Sequence, residues 1–210
     1  MTQIFSAEVL GGAAVALGLL GYVFYVRGIL QGKVKPHAFT WFIWGLLTAI
    51  AFVAQISSGG GAGAWVTGVT AACSFGFALV GLGASSRIHI VRSDWKFFVA
   101  SLLAIPVWLV TGEPLWSVVI ITITDAVAFA PTFRKAFHHP DTENVWTYAL
   151  SGIKFVISLF ALESFTWTTA LYPASLVLAN AAFVTMLVWN KHNRHHAKLR
   201  AGHTVNPKTT

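Results

Sequence analysis

Apolar residues in this chain come in runs about twenty residues long, separated by short polar segments. The runs cover roughly residues 7–26, 38–57, 63–84, 97–111, 114–133, 145–162 and 167–189. Most have about the 17–25 residues that a helix needs to cross a hydrocarbon core about 30 Å thick. The pattern therefore predicts seven transmembrane helices. The polar segments alternate in charge. Basic ones are 27–37 (Arg27, Lys33, Lys35), 85–96 (Arg87, Arg92, Lys96), 134–144 (Arg134, Lys135) and the tail from 190 (Lys191, Arg194, Lys198, Arg200, Lys208). The N-terminus and segments 58–62, 112–113 and 163–166 hold no Lys or Arg, but Glu8, Glu113 and Glu163 lie there. Cytoplasmic loops carry the excess of Lys and Arg, so the N-terminus is expected outside and the C-terminus inside, with an odd number of crossings.

Composition agrees with a membrane chain. It is 56% hydrophobic and 10% charged with mean hydropathy +0.68, where a soluble domain carries about 25% charged residues. The net charge of +7 is accounted for by the one-sided loops. Anionic lipid headgroups are their expected counter-charge, and nucleic acid is not an expected partner. The first apolar run has no basic segment before it, so it reads as a span and not a cleavable signal peptide. The lone Cys73 excludes an intrachain disulfide. Trp65, Trp116 and Trp167 fall at the outer boundary, and Trp41, Trp95, Trp146 and Trp189 at the inner one, as in an aromatic belt. Trp44 and Trp108 lie deeper. The spacings Ala14/Gly18 and Ala72/Gly76 predict close helix approach. The segment from Ser57 to Gly63 reads as a flexible connector, without the lysine of a phosphate loop.

Internal repetition divides the chain three, one, three. Tyr25-Val26-Arg27 closes span one as Thr132-Phe133-Arg134 closes span five. Each exit is followed by a loop containing a proline, Pro36 or Pro140, and then an aromatic entry at Trp41 or Trp146. An odd linker helix places both triplets in the same orientation, and parallel repeats of this kind occur in transporters. The expected units are 1–84 (first three-helix bundle), 85–113 (loop and linker helix), 114–190 (second bundle) and 191–210 (basic tail).

With Ala130-Pro131-Thr132-Phe133-Arg134-Lys135 at the inner end of span five, this arrangement resembles the SWEET and PQ-loop transporter superfamily, including a set of bacterial seven-helix proteins. Thr132 stands where the family has Gln, and the first repeat lacks the proline. The resemblance implies an all-α membrane protein of two parallel three-helix bundles joined by a linker helix (3+1+3), N-out and C-in, in the bacterial inner membrane. It implies transport of a small polar solute by alternating access, with Pro131 as a hinge. The sugar facilitators present an asparagine from each of spans three and seven; here span seven has Asn180, and Ser74 and Thr70 are the nearest span-three substitutes.

Ionisable residues within spans are rare and usually face a bundle interior or cavity. Asp125 is nine residues before Arg134, and Lys154 is ten after Asn144. At 1.5 Å per residue both lie roughly 14–15 Å from the inner end. Asn180 lies in the same layer. Two readings follow: a structural Asp125–Lys154 ion pair, or a substrate or proton site at the repeat interface. The expected substrate-binding set is Asp125, Lys154, Asn180, Trp44, Ser74 and Thr48. Tyr22 and Gln55 are further first-bundle candidates, Gln55 as a simple cap. His192 and His196 are four apart, but no carboxylate or thiol accompanies them, so no metal or other cofactor is expected. No HExxH motif, paired acids or Ser/His/Asp arrangement occurs at membrane depth, so an enzyme is not expected. A lysine in span six rather than seven departs from microbial retinal proteins. The alternative to a transporter is a non-transporting ligand or partner-binding membrane protein. A homo-oligomer is compatible with either but not required.

Overall fold

The computed structural model describes residues 6–32, 36, 38–83, 92–138, 140 and 144–203, without the side chains at 93, 94, 131, 135 and 194–203. It is all-helical over these residues. The helices are α1 (Ala7–Leu30), α2 (Ala38–Ser57), α3 (Trp65–Gly83), α4 (Arg92–Thr111), α5 (Pro114–His138), α6 (Val145–Phe160) and α7 (Trp167–His203). A 3-10 turn, Gly61–Ala64, precedes α3. Five helices are long and apolar enough to cross a membrane, whereas α6 and the Trp95–Thr111 stretch of α4 are shorter. The 16 residues of α6 extend about 24 Å. Lys33, Lys35, Arg87 and the tail from 204 fall outside the described residues.

Helix ends follow local chemistry. Ser6 caps α1, its Oγ accepting from the Val9 amide at 3.4 Å, and Asn144 caps α6 through the Trp146 amide at 2.9 Å. Several helices outrun the apolar stretches that announce them: α1 reaches Leu30, α5 reaches His138 and α7 continues to His203. Backbone hydrogen bonding does not stop where hydrophobicity does. Large apolar side chains cover the outside, among them Val110 (86% exposed) and Leu109 (79%). In water this surface would aggregate; it is compatible with a multi-pass membrane protein.

The packing pairs each triplet in the same way. α3 packs on both α1 and α2, and α7 packs on both α5 and α6. Across the triplets, α1 lies on α6 and α2 on α5, while α4 packs on α5 and α2. The main core joins Leu47, Ala51 and Ala54 of α2 to Ala104 of α4, Val118 and Ile121 of α5 and Tyr172 of α7. A smaller core joins Ala14, Val66 and Phe155. Of the two small-residue stripes, Ala14/Gly18 is buried, but Ala72 and Gly76 are exposed and nothing lies within 4 Å of a Cβ built on Gly76. α3 turns that face outward because α2 meets it elsewhere, with Gly45 against Phe75 and Gly68 against Phe52.

The glycine-rich connector is not the loose linker its composition suggests. Ala62 and Ala64 are 1% and 0% exposed. A Cβ on Gly11 would stand 2.5 Å from the Ala62 carbonyl oxygen, so α1 approaches the turn backbone to backbone. Gly61 has φ +55°, a left-handed conformation that glycine adopts at little cost. A Cβ there would also overlap the Glu163 carboxyl group.

Candidate functional site

A cavity of about 560 Å³ lies between the two triplets, within the 300–1,000 Å³ range usual for small-molecule sites. α1, α2, α3, α5, α6 and α7 all contribute to its walls, and no described residue of α4 does. Asp125, Lys154, Asn180, Trp44, Ser74 and Thr48 all line it. The cavity reaches the basic end of the bundle at Thr40, Trp41 and Thr147, in the first turns of α2 and α6. Thr147 is exposed there.

Lys154 extends from α6 towards the first triplet and is 6% exposed. Its Nζ donates to Thr70 Oγ1 at 3.1 Å and stands 5.2 Å from the Tyr22 ring centre and 4.8 Å from that of Phe155. Such contacts with ring faces favour a cation. Gly18 leaves the room it needs, since a Cβ there would lie 3.3 Å from Lys154 Cδ.

Asp125 does not meet this ammonium. No salt bridge joins them, and Asp125 makes no hydrogen bond among the described residues. The expected meeting of the two side chains assumed that α5 and α6, neighbours in sequence, are neighbours in space. Instead α7 packs between them. The two charges therefore stand on separate walls of one cavity.

The other polar groups are partly committed. Thr48 Oγ1 donates to Trp44 O at 2.7 Å, Thr70 Oγ1 to Val66 O at 2.7 Å, Ser74 Oγ to Thr70 O at 2.8 Å and Ser175 Oγ to Tyr172 O at 2.7 Å. Asn180 Nδ2 donates to Leu176 O at 2.7 Å. Each returns a hydrogen to its own helix, as isolated hydroxyls in helices commonly do. Among the described residues no group of three His, Cys, Asp or Glu could hold a metal ion. Pro131 lies within α5, which continues as helix to His138.

No family model matches this chain, and neither a curated protein nor a solved structure matches it. The site is therefore read from its own chemistry.

Some lining residues were not legible as such. Trp41 has the depth of a belt residue, yet it lines the cavity and its Nε1 donates to Tyr25 Oη at 2.8 Å. Tyr172, 2% exposed, and Tyr148 also line it; nothing in the run pattern singles either out.

The far end, by the glycine turn, is closed. Glu163 Oε1 accepts from the Ala62 amide at 3.1 Å, and the Glu163 amide donates to Gly60 O at 3.4 Å. Ser158 Oγ donates to Gly63 O at 2.7 Å. Gln55, expected as a helix cap, is fully buried and bridges helices: its Nε2 donates to Thr169 O at 2.8 Å. That carbonyl stands four residues before Pro173 in α7. Proline has no N–H to offer it, so Gln55 supplies the missing donor from α2.

Proposed function

We propose that this protein is an integral membrane transporter for a small polar solute. It works by alternating access between two parallel three-helix units, α1–α3 and α5–α7, joined by α4. The observation that carries this reading is the shared cavity: six helices line it, both triplets supply polar groups, and no described residue of α4 lines it. Exchanging α1 with α5, α2 with α6 and α3 with α7 maps the packing among these six helices onto itself, including α1 on α6 and α2 on α5. This supports a repeat axis passing through the cavity, where transporters bind their solutes.

With the basic loops in the cytoplasm, the cavity faces inward and the glycine turn forms the outer seal. Binding would occur at Asp125, Lys154 and Asn180, with Trp44, Ser74 and Thr48 completing the walls. Transport then requires the seal between the 58–64 and 161–166 segments to part while the inner ends close. Lys154, held by α6 but bonded to Thr70 of α3, connects the two moving units at the site itself.

The test is solute counterflow in proteoliposomes containing the full-length protein, with sugars, amino acids, nucleosides and short peptides. Saturable counterflow of one class, abolished by cross-linking the outer seal, is the expected result. Binding without flux for every class would refute transport and leave a membrane receptor.

A further inference from the structure

Resting on the transport reading of this cavity, we infer that its solute is an apolar zwitterion: one ammonium group, one carboxylate and an uncharged apolar body. The cavity holds two opposite charges that do not satisfy one another. Among the described residues Lys154 has a single hydrogen-bond acceptor, Thr70, and an ammonium has three N–H groups to give. Asp125 faces the same space from another wall without a hydrogen bond among the described residues. Each charge has been taken from water at a cost that a complementary partner offsets. A carboxylate beside Lys154 and an ammonium beside Asp125 would satisfy both at once.

The neutral groups sharpen the choice. Thr48, Thr70, Ser74 and Ser175 have turned their hydrogens to carbonyls of their own helices. Thr70 already accepts from Lys154; the other three present oxygen lone pairs to the cavity, and Asn180 presents Oδ1 together with its second amide hydrogen, the first being given to Leu176. Such acceptors suit the N–H groups of an ammonium. A sugar brings no charge to either group and would leave both Asp125 and Lys154 without a complementary partner. Asp125 is the one acid among the described lining residues, so a second positive charge on the solute would face Lys154 without a partner. Tyr22, Trp44, Phe155 and Tyr172 leave the remaining wall aromatic, which suits an apolar body.

Calorimetric titration of the full-length protein in detergent tests this with glycine, leucine, phenylalanine, phenethylamine, 3-phenylpropionate, lysine and glucose. Phenylalanine or leucine is expected to bind. The two single-charge analogues are expected to bind about ten- to a hundredfold more weakly, the effect of losing one hydrogen-bonded charge, and lysine more weakly than leucine. Asp125→Asn should erase the preference for phenylalanine over 3-phenylpropionate, and Lys154→Gln the preference over phenethylamine. The analogue series uses the unaltered protein, so it decides even where a variant does not fold. Equal binding of a single-charge analogue, tighter binding of glucose, or no binding of glycine, leucine or phenylalanine overturns the inference. Glucose counterflow without zwitterion binding would leave transport standing and remove this solute class. Zwitterion binding without counterflow would do the reverse.

Discussion

Gln55 and Pro173 should behave as one unit although they lie on different helices. Pro173 deprives the Thr169 carbonyl of its helical donor, and Gln55 Nε2 replaces it at 2.8 Å. Gln55→Met keeps the length of the side chain and removes the donor. It leaves a buried acceptor unsatisfied, which costs about 1–3 kcal/mol, although interhelical hydrogen bonds in membranes average only about 0.6 kcal/mol. Part of the loss is returned, because Gln55 Oε1 is itself buried without a partner. The expected net loss is about 1 kcal/mol. In a Pro173→Ala background the helix supplies its own N–H to Thr169, so the same Gln55→Met change should cost almost nothing. The assay is a double-mutant cycle on reversible unfolding in mixed detergent and SDS. The coupling should be about 1 kcal/mol, against the roughly 0.3–0.5 kcal/mol scatter of independent sites. An equal Gln55→Met penalty in both backgrounds would falsify the view that glutamine answers proline.

Three further outcomes follow from the same contacts. Lys154→Met should leave thermal stability in detergent within about 1 kcal/mol of the parent, because no carboxylate is left unpaired by it. A loss of about 3–5 kcal/mol, as when one partner of a buried ion pair is removed, would show that Asp125 and Lys154 are paired after all. Gly61→Ala should lower stability more than Gly32→Ala. Both glycines have positive φ, +55° and +68°, but Gly32 faces open space while a Cβ at Gly61 meets Glu163; equal shifts in midpoint temperature would contradict a packed seal. With Cys73→Ser as background, a cysteine pair introduced by Ala62→Cys and Glu163→Cys should stop counterflow on oxidation and restore it on reduction. Unchanged flux in the oxidised protein would mean that this contact does not open during transport.

Hydrophobic run length made the helices legible, because spanning requires about twenty apolar residues whatever their neighbours. It also brought Asp125, Lys154 and Asn180 to one depth, since rise per residue is fixed. What it could not show is azimuth. Depth placed Asp125 opposite Lys154, but the order of helices around the bundle inserts α7 between them. The same blindness hid Trp41, whose depth suits an interface and whose face points inward. Gln55 read as a cap because its partner lies 114 residues away, and no local pattern carries that distance. The glycine connector misled for a different reason. Glycine is chosen both for freedom and for close approach, and composition alone cannot separate the two.

The closed end has an electrical consequence. Glu163, Ser158 and Gln55 bond across it, and small residues bring backbone against backbone, so it forms a thin insulating layer. Water entering from the basic end would carry the cytoplasmic potential up to Asp125 and Lys154. In the proposed orientation most of the membrane voltage then falls across this layer alone. A solute with net charge would meet nearly the full field in crossing it, about 2.3 kcal/mol per elementary charge at 100 mV. A zwitterion would cross with no net electrical work. Its flux would be set by its concentration gradient and would not respond to voltage.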